Sequence, residues 1–336
     1  MISNPSNKNN LIGTDFTIGI IAGKGGVGKS TITCQLAKAL NRLGHRIGVF
    51  DGDVYGPSMR HLLPETIPPE TQGSKVLPAD SEGIAVMSTA FFPKGKGPSV
   101  VRAPIANQII NQFISEVEWG KLDALLVDFP PGTGDVQISL MQKLFFNGVI
   151  VVTTPQEISL LDVRKSMKMC VQMGVPILGV VENMSYFSAQ GSKERHLIFG
   201  EGGGKKLAQE FDVPLLEEIP VDPSIAAQKK LQSEPIFDAF SKNVFSLLKE
   251  EKEYKIKQED RYHFSIRWLD GKKSLYRFED VLRYCPCIEC LEKDKPLINV
   301  EGEKIVRVGN YGIQILFSKG CSKGIYPFSM LRDLDR

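Results

Sequence analysis

The chain has 336 residues, of which 42% are hydrophobic and 24% are charged, and its formal net charge is +2. This composition is ordinary for a globular protein, the length allows two domains, and the small net charge argues against a protein built to coat nucleic acid. No run approaches the roughly 20 apolar residues that span a membrane. Residues 1–10 are polar and lack the apolar core of a signal peptide.

These features predict a flexible tail over residues 1–13 and a cytoplasmic protein with neither nucleic acid nor membrane as a partner. In that compartment the six cysteines are expected to be reduced, buried or bound to metal.

Short apolar runs alternate with helical patterns over residues 14–250, which we assign to one domain. The predicted strands are 16–22, 46–51, 83–88, 122–128, 148–154, 177–182 and 214–219. The predicted helices lie near 30–43, 103–117, 137–145, 158–173, 203–211 and 223–250. Several strands are continuously apolar, as a sheet covered on both faces requires. The pattern predicts an α/β fold with a doubly wound, mostly parallel sheet.

A glycine-rich segment follows the first predicted strand and matches G-x-x-x-x-G-K-S from Gly23 to Ser30. Glycines allow successive backbone N–H groups to surround phosphates, Lys29 supplies positive charge, and the Ser30 hydroxyl is suited to bind Mg²⁺. Lys24 is an additional lysine that ordinary phosphate-binding loops lack. The predicted ATP-binding residues of this segment are Gly23, Lys24, Gly25, Gly26, Val27, Gly28, Lys29, Ser30 and Thr31.

Acidic residues end two other predicted strands. Asp51 ends the second strand and Asp53 lies two residues later, where they either cap a turn or orient water and support Mg²⁺. Asp128 ends an apolar strand and is suited to hold Mg²⁺, and the Pro/Gly loop 130–135 follows it directly. Asn183 ends a later strand, where its amide suits adenine, although asparagine is also a common turn residue.

The combination of these motifs resembles the Mrp/ApbC family of P-loop ATPases, which carry and transfer iron–sulfur clusters. The segments that carry the resemblance are 24–30, 51–58, 128–135, 153–157, 182–187 and 198–204. The resemblance implies a MinD-like fold and a homodimer in which Lys24 reaches phosphates bound in the partner subunit. It also implies that Asp53 orients water, that Asp51 and Asp128 support Mg²⁺, and that Asn183 contacts adenine.

Members of that family usually carry a Cys-x-x-Cys pair between the last two of these segments. Residues 188–196 of this chain contain no cysteine, so the usual cluster-bridging site is absent. Cys34 and Cys170 lie inside predicted helices, where each is expected to be a small buried apolar side chain.

The sequence changes character after residue 248. Residues 251–260 are rich in charge and are predicted to form a linker, and residues 261–336 are predicted to form a small β-rich domain with short strands over 262–269, 304–308 and 312–317. We find no internal repeat in the sequence.

Four cysteines lie in the small domain. Cys285, Cys287 and Cys290 are separated by one and two residues, and Cys321 follows the last predicted strand. A tight cluster with one distant ligand is typical of a closed tetrahedral metal site. The domain resembles the gamma-butyrobetaine hydroxylase N-terminal-like family, which often has histidine in place of Cys321, so the resemblance implies ligation by four sulfurs. Zinc, an iron–sulfur cluster and the absence of metal all remain open.

Three functions follow from these interpretations. The first is a dimeric, slowly hydrolysing ATPase that binds or transfers iron–sulfur clusters, with assembly factors and recipient apoproteins as partners. The second is an ATP-driven adaptor or scaffold in iron–sulfur assembly that has a structural zinc site and no cluster of its own. The third, a MinD/ParA-like positioning ATPase, lacks support because the sequence has neither a C-terminal amphipathic membrane helix nor a basic DNA-binding face.

Overall fold

The fold was obtained as a computed structural model, which describes residues 13–92, 103–189, 194–226, 234–249, 255–268, 272–287, 290, 299–308 and 312–335. The chain divides into two compact units, Met1–Leu248 and Lys249–Arg336. No helix within the described residues combines the length and the apolar character needed to cross a membrane.

An eight-stranded sheet forms the centre of the first unit. Its strands are β1 Thr14–Ala22, β2 Ile47–Asp51, β5 Ala79–Ser81, β6 Ile84–Met87, β7 Leu122–Asp128, β8 Gly148–Thr153, β9 Ile177–Asn183 and β10 Leu215–Ile219. Their order is β10-β9-β8-β1-β7-β2-β6-β5, and every neighbouring pair is parallel except β5 and β6. A separate hairpin consists of β3 Glu70–Gln72 and β4 Lys75–Leu77.

The first unit also contains helices. They are α1 Lys29–Arg42, α2 Met59–Leu62, α3 Ala103–Glu116, α4 Asp135–Lys143, α5 Glu157–Gln172, α6 Gly203–Glu210, α7 Pro223–Ala226 and α8 Glu234–Lys249, with a 3-10 helix over Thr89–Phe91. Along β7, Leu125 and Val127 belong to one apolar core, whereas Ala124 and Leu126 belong to a second. Both faces of the sheet are therefore buried, which accounts for the continuous apolar runs and confirms the predicted fold class.

Two predicted helices have other bounds in the described residues. Within the helix predicted over 223–250, the structure describes α7 Pro223–Ala226 and α8 Glu234–Lys249, and residues 227–233 lie outside the described residues. The helix predicted near 137–145 begins earlier, at Asp135, which follows the extended Gly134.

The second unit contains two three-stranded antiparallel sheets. The first consists of β11 Lys255–Gln258, β12 His263–Arg267 and β13 Lys273–Arg277, followed by α9 Phe278–Arg283. The second consists of β14 Gly302–Val308, β15 Gly312–Phe317 and β16 Ile325–Pro327, followed by α10 Phe328–Asp333. One apolar core collects side chains from both sheets and both helices, including Phe264, Phe278, Ile315 and Leu331.

The structure corrects the predicted linker, because residues 255–258 form the edge strand β11. Lysines alternate with Ile256 in this strand, and Ile256 packs on the core of the second unit. The charge of the segment concealed this alternation. Residues 251–254 lie outside the described residues.

The two halves of the second unit share an order of elements, although the sequence shows no internal repeat. Each half of the second unit is a three-stranded meander followed by a six-residue helix, and α10 begins at Phe328, fifty residues after α9 begins at Phe278. At the same spacing, Tyr276 corresponds to Tyr326, and both are buried. The repeat escaped sequence analysis because few residue identities are shared, and the correspondence lies in the order of elements and the buried positions.

Candidate functional site

The predicted phosphate-binding loop lies between β1 and α1. Gly26 and Gly28 have φ angles of 83° and 85°, in the left-handed region that favours glycine. Gly23 is required for a different reason, because a Cβ at this position would lie 2.2 Å from the backbone nitrogen of Val163 on α5. The loop shape therefore depends on backbone conformation at two glycines and on close contact with α5 at a third.

Asp128, at the end of β7, contacts three polar side chains at the start of α1. Lys29 Nζ lies 2.7 Å from Asp128 Oδ1. Ser30 Oγ donates a hydrogen bond to Asp128 Oδ2 at 2.6 Å, and Thr33 Oγ1 donates to Oδ1 at 2.9 Å. Lys29 and Asp128 are both buried, and burial of either charge without the other would be costly. Sequence analysis missed Thr33, although its place four residues after Lys29 puts it on the same face of the helix.

Asp51 joins this cluster from the neighbouring strand. It is the register partner of Asp128 across the parallel pair β2 and β7, and it is 1% exposed. Burial, and secondly the nearby Asp128 carboxylate, raises the pKa of Asp51 to about 7. Asp51 Oδ2 accepts a hydrogen bond of 2.7 Å from Ser88 Oγ, a contact that sequence analysis missed.

The donor set of this cluster fits a magnesium ion. Asp51 and Asp128 supply two carboxylates, and Ser30 supplies a hydroxyl that already contacts one of them. Mg²⁺ prefers oxygen ligands and would favour the ionised form of both acids. The three residues predicted to support Mg²⁺ are therefore brought together.

The two predicted catalytic residues are partly exposed. Asp53 is next to the cluster, because its backbone N–H donates to Asp51 Oδ1 at 3.1 Å and its own Oδ1 accepts from the Gly56 N–H at 3.1 Å. Lys24 forms no ion pair with any residue that the structure describes. The roles of Asp53 and Lys24 in hydrolysis remain predictions.

Asn183, at the end of β9, contacts the phosphate-binding loop directly. Its Nδ2 donates a hydrogen bond of 2.8 Å to the Val27 carbonyl. A Cβ on Gly28 would lie 2.3 Å from the same nitrogen, so Gly28 must lack a side chain for the amide to reach the loop. Asn183 therefore supports the loop, and its predicted contact with adenine remains a prediction.

The loop that follows β7 is connected to the same region. The Gly132 N–H donates to the Ala22 carbonyl at 3.3 Å, and Ser166 Oγ on α5 donates to the Gly132 carbonyl at 3.3 Å. Gln137 Nε2 donates to the Pro130 carbonyl. These contacts link the predicted γ-phosphate-sensing loop to β1 and α5, and sequence analysis identified neither Ser166 nor Gln137.

The segment without the usual cysteine pair begins and ends in a small antiparallel bridge. The N–H groups of Phe187 and His196 each donate to the other residue's carbonyl, at 2.9 Å and 2.8 Å. Residues 190–193 lie outside the described residues.

The second unit brings the four predicted metal ligands together. The sulfurs of Cys285, Cys287, Cys290 and Cys321 all lie within 4.8 Å of one another, and those of Cys287 and Cys321 are 3.4 Å apart. Four sulfurs at about 2.3 Å from one tetrahedral ion are about 3.8 Å from each other. The cluster is therefore close to the size that a single ion requires.

The pKa values of Cys285 and Cys321 are shifted in opposite directions. Burial raises the pKa of Cys285 above its ordinary range. Burial also disfavours the Cys321 thiolate, but the Lys323 N–H, 3.4 Å from Cys321 Sγ, and the neighbouring thiols together lower its pKa. Metal binding would deprotonate the thiols, and the charge of the ion would offset part of the cost of burying the thiolates.

The other two cysteines belong to the cores of the first unit, as predicted. Cys34 is 1% exposed and Cys170 is fully buried. Burial raises their pKa values to about 11 and about 12, so both remain protonated thiols near neutral pH.

Two family models match the chain. The model described as NUBPL iron-transfer P-loop NTPase matches residues 14–251, and the model described as gamma-butyrobetaine hydroxylase-like, N-terminal, matches residues 255–332.

The iron–sulfur cluster carrier protein of Aquifex aeolicus is 40% identical over 228 residues, which cover 67% of this chain and 62% of that protein. The carrier protein of Methanococcus maripaludis is 42% identical over 219 residues, covering 64% of this chain and 76% of that protein. The chain thus spans less than two thirds of the Aquifex relative.

Solved structures also match the chain. A nucleotide-binding protein of Archaeoglobus fulgidus, solved in complex with ADP, has 32% identity and a TM-score of 0.58, and the match covers 72% of this chain and 96% of that chain. The cell division ATPase MinD of Pyrococcus furiosus has 21% identity and a TM-score of 0.50, with 69% and 99% covered. These similarities confirm the predicted MinD-like fold.

Proposed function

The chain belongs to the NUBPL iron-transfer P-loop NTPase family, and on that premise we propose that it couples ATP hydrolysis to the transfer of iron–sulfur clusters to recipient proteins. The observation that carries this proposal is the convergence of Lys29, Ser30 and Asp51 on Asp128 beside the phosphate-binding loop. This arrangement supplies a cation for phosphate and oxygen ligands for a metal at one place.

Nucleotide binding would rearrange the side chains around Asp128. The loop N–H groups and the start of α1 are suited to bind phosphate oxygens. Lys29, now paired with Asp128 at 2.7 Å, would exchange that carboxylate for the β- and γ-phosphates. Ser30, Asp51 and Asp128 would hold Mg²⁺, whose charge stabilises the negative charge that develops on the transferred phosphoryl group. Asp53 would orient the attacking water.

We propose a homodimer in which Lys24 completes the site of the partner subunit. Lys24 is partly exposed and has no acidic partner among the described residues, so it is available to another chain. In this arrangement hydrolysis depends on the association of two subunits, and ATP binding would stabilise the dimer.

A mixing experiment tests which subunit's site Lys24 serves. Lys24→Ala and Asp53→Asn are each expected to hydrolyse ATP poorly. If Lys24 acts across the interface, an equal mixture regains about a quarter of the wild-type rate, because half of the dimers are mixed and one of their two sites is complete. If Lys24 acts within its own subunit, the mixture stays inactive, which would contradict the dimer model.

For the four cysteines of the second unit we propose one zinc ion. Sulfurs within 4.8 Å of one another suit a single ion, whereas a cluster places its thiolates on different irons. Only six cysteines occur in the chain, and Cys34 and Cys170 are buried thiols. With zinc bound, the protein would act as an ATP-driven adaptor between assembly factors and recipient apoproteins.

Metal analysis and anaerobic reconstitution with iron and sulfide distinguish zinc from a cluster. We expect purified protein to contain one zinc per chain and to show no charge-transfer absorption from iron. A variant with all four cysteines replaced by serine is expected to contain neither metal. Stable cluster absorption in the wild type that disappears in this variant would instead make the second unit the cluster carrier.

A further inference from the structure

The two halves of the second unit place two tyrosines at equivalent positions. Tyr276 on β13 and Tyr326 on β16 are fifty residues apart, and each lies two residues before the first phenylalanine of the following helix, Phe278 or Phe328. Tyr276 is 5% exposed and Tyr326 is fully buried. Because the halves share their order of strands and helix, the hydroxyl groups of the two tyrosines can be compared directly.

The two hydroxyl groups have different surroundings. Tyr276 Oη donates a hydrogen bond of 2.8 Å to the Leu331 carbonyl on α10. The residue equivalent to Leu331 in the first half is Val281 on α9, but Tyr326 Oη has no nitrogen or oxygen partner among the residues that the structure describes. Its neighbour is the Cys285 sulfur, and burial and then this thiol raise the pKa of Tyr326. A buried hydroxyl that faces only a thiol is poorly satisfied, because a thiol sulfur is a weak acceptor.

Gly324, two residues before Tyr326, also lies against the Cys285 sulfur. A Cβ on Gly324 would lie 2.6 Å from Cys285 Sγ, so glycine permits the sulfur to occupy its position. The equivalent residue in the first half is Ser274, whose hydroxyl accepts from Trp268 Nε1 at 2.6 Å and donates to Asp335 Oδ2 at 2.6 Å. One half of the repeat thus has a polar network of ordinary hydrogen bonds, whereas the other half places a hydroxyl beside a thiol, which is a weak acceptor.

We propose that Tyr326 is a positioning residue for the metal site, and that its hydroxyl donates a hydrogen bond to Cys285 Sγ once that sulfur is a metal-bound thiolate. This inference rests on the proposed metal binding by the four cysteines. Metal binding converts the Cys285 thiol into a strong hydrogen-bond acceptor beside Tyr326. The hydroxyl then donates to a thiolate, which is a stronger acceptor than the neutral thiol.

A second donor already reaches another sulfur of the cluster. The Lys323 N–H lies 3.4 Å from Cys321 Sγ. Four thiolates around one divalent ion carry a net negative charge, and hydrogen bonds to the sulfurs offset the cost of burying it. Tyr326 would supply that bond to Cys285, the most buried of the four cysteines.

The matched variants are Tyr326→Phe and Tyr276→Phe in the full-length chain, each of which removes one hydroxyl from an equivalent buried position. Zinc affinity is measured by competition with a chromogenic chelator. We expect Tyr326→Phe to weaken zinc binding by about 10–100-fold, the range typical for loss of a hydrogen bond to a metal ligand. Tyr276→Phe is expected to change it by less than about 3-fold, because the partner of its hydroxyl is a backbone carbonyl and not a ligand sulfur.

Spectroscopy of substituted metals provides a readout that a purely structural role would not change. In the cobalt form, the sulfur-to-metal charge-transfer bands of Tyr326→Phe are expected to move to longer wavelength, because a thiolate without its donor is more electron-rich. In the unsubstituted chain loaded with an NMR-active cadmium isotope, we expect a correlation between the metal and a slowly exchanging hydroxyl proton of Tyr326. This second measurement does not depend on the folding of a variant.

The outcomes separate this inference from the metal proposal itself. If the wild type binds no zinc, cobalt or cadmium, the metal proposal fails and this inference fails with it. If the wild type binds these metals but the hydroxyl proton shows no coupling to cadmium, and Tyr326→Phe matches Tyr276→Phe in zinc affinity and cobalt spectrum, the metal site stands and the role of Tyr326 is refuted.

Discussion

Replacement of Asp51 by asparagine is expected to change how the stability of the first unit depends on pH. Asp51 is 1% exposed and next to Asp128, and burial and that neighbour raise its pKa from 3.8 to about 7. The folded chain therefore binds a proton between these two pH values that the unfolded chain releases. The resulting stabilisation is fully present below about pH 4 and is lost as the pH rises through about 7.

The size of the effect follows from the shift in pKa. A shift of about 3 units corresponds to about 4 kcal/mol, at about 1.4 kcal/mol per unit. Asp51→Asn has no such proton to lose. Relative to the wild type, the variant should therefore gain up to about 4 kcal/mol between pH 4 and pH 8, and most of the gain should occur below pH 7.

Denaturant unfolding followed by the fluorescence of Trp119 measures this difference. Trp119 packs near Phe50, the residue before Asp51, with ring centroids 6.4 Å apart. The chain has two tryptophans, so a Trp268→Phe background removes the signal of the second unit. A difference between wild type and Asp51→Asn that stays constant from pH 4 to pH 8 would refute the reasoning.

Two further variants test the cause of the shift. Asp128→Asn removes the like charge that is the second cause of the raised pKa, so the pH dependence should become shallower but persist because burial remains. Saturating Mg²⁺ and ADP should flatten the wild-type dependence, because a bound cation favours ionised Asp51. If neither variant nor ligand changes the pH dependence, then that dependence does not arise from Asp51.

The remaining predictions concern the phosphate-binding loop and the metal. Lys29→Ala should weaken ATP binding by at least about 10-fold, as measured by calorimetry, because a charged hydrogen bond contributes about 1.5–3 kcal/mol; unchanged affinity would contradict the site. Lys24→Ala should keep ATP affinity but lose hydrolysis, and a normal turnover rate would argue against its role. Gly23→Ala should destabilise the first unit by about 1–3 kcal/mol through overlap with the Val163 backbone, whereas Gly25→Ala, whose Cβ meets nothing within 4 Å, should not change stability. Removal of zinc by a chelator should abolish cooperative unfolding of the second unit, and an unchanged transition would exclude a structural metal.

Sequence analysis predicted well those elements whose residue pattern lies within one short segment of the chain. The strand β7 is continuously apolar and ends in Asp128, because both of its faces are buried and its end borders the site. The phosphate-binding loop requires particular residue types at particular spacings. The three clustered cysteines similarly pointed to a common site with Cys321.

The features that were missed depend on pairing between distant segments. Ser88 reaches Asp51 only because β6 pairs with β2 in the observed register. Asn183 reaches Val27 because β9 and β1 lie on either side of β8 in the sheet. Such contacts leave no local pattern in the sequence, because they follow from strand order.

The repeat in the second unit was missed for a related reason. The strand β11 has a single partly buried isoleucine among two lysines and a glutamine, so its alternation is too short to separate from a linker. The equivalence of Tyr276 and Tyr326 is visible only when the order of strands and helices is compared between the two halves.

The central claim is that ATP hydrolysis drives iron–sulfur transfer, and a transfer assay tests it most directly. An iron–sulfur scaffold protein and an apo recipient are incubated anaerobically with this protein, and cluster arrival is followed by circular dichroism or recipient activity. We predict that wild type with Mg²⁺ and ATP accelerates transfer, and that Lys29→Ala and omission of ATP both remove the acceleration. Equal transfer rates with wild type, with Lys29→Ala and without ATP would contradict the account.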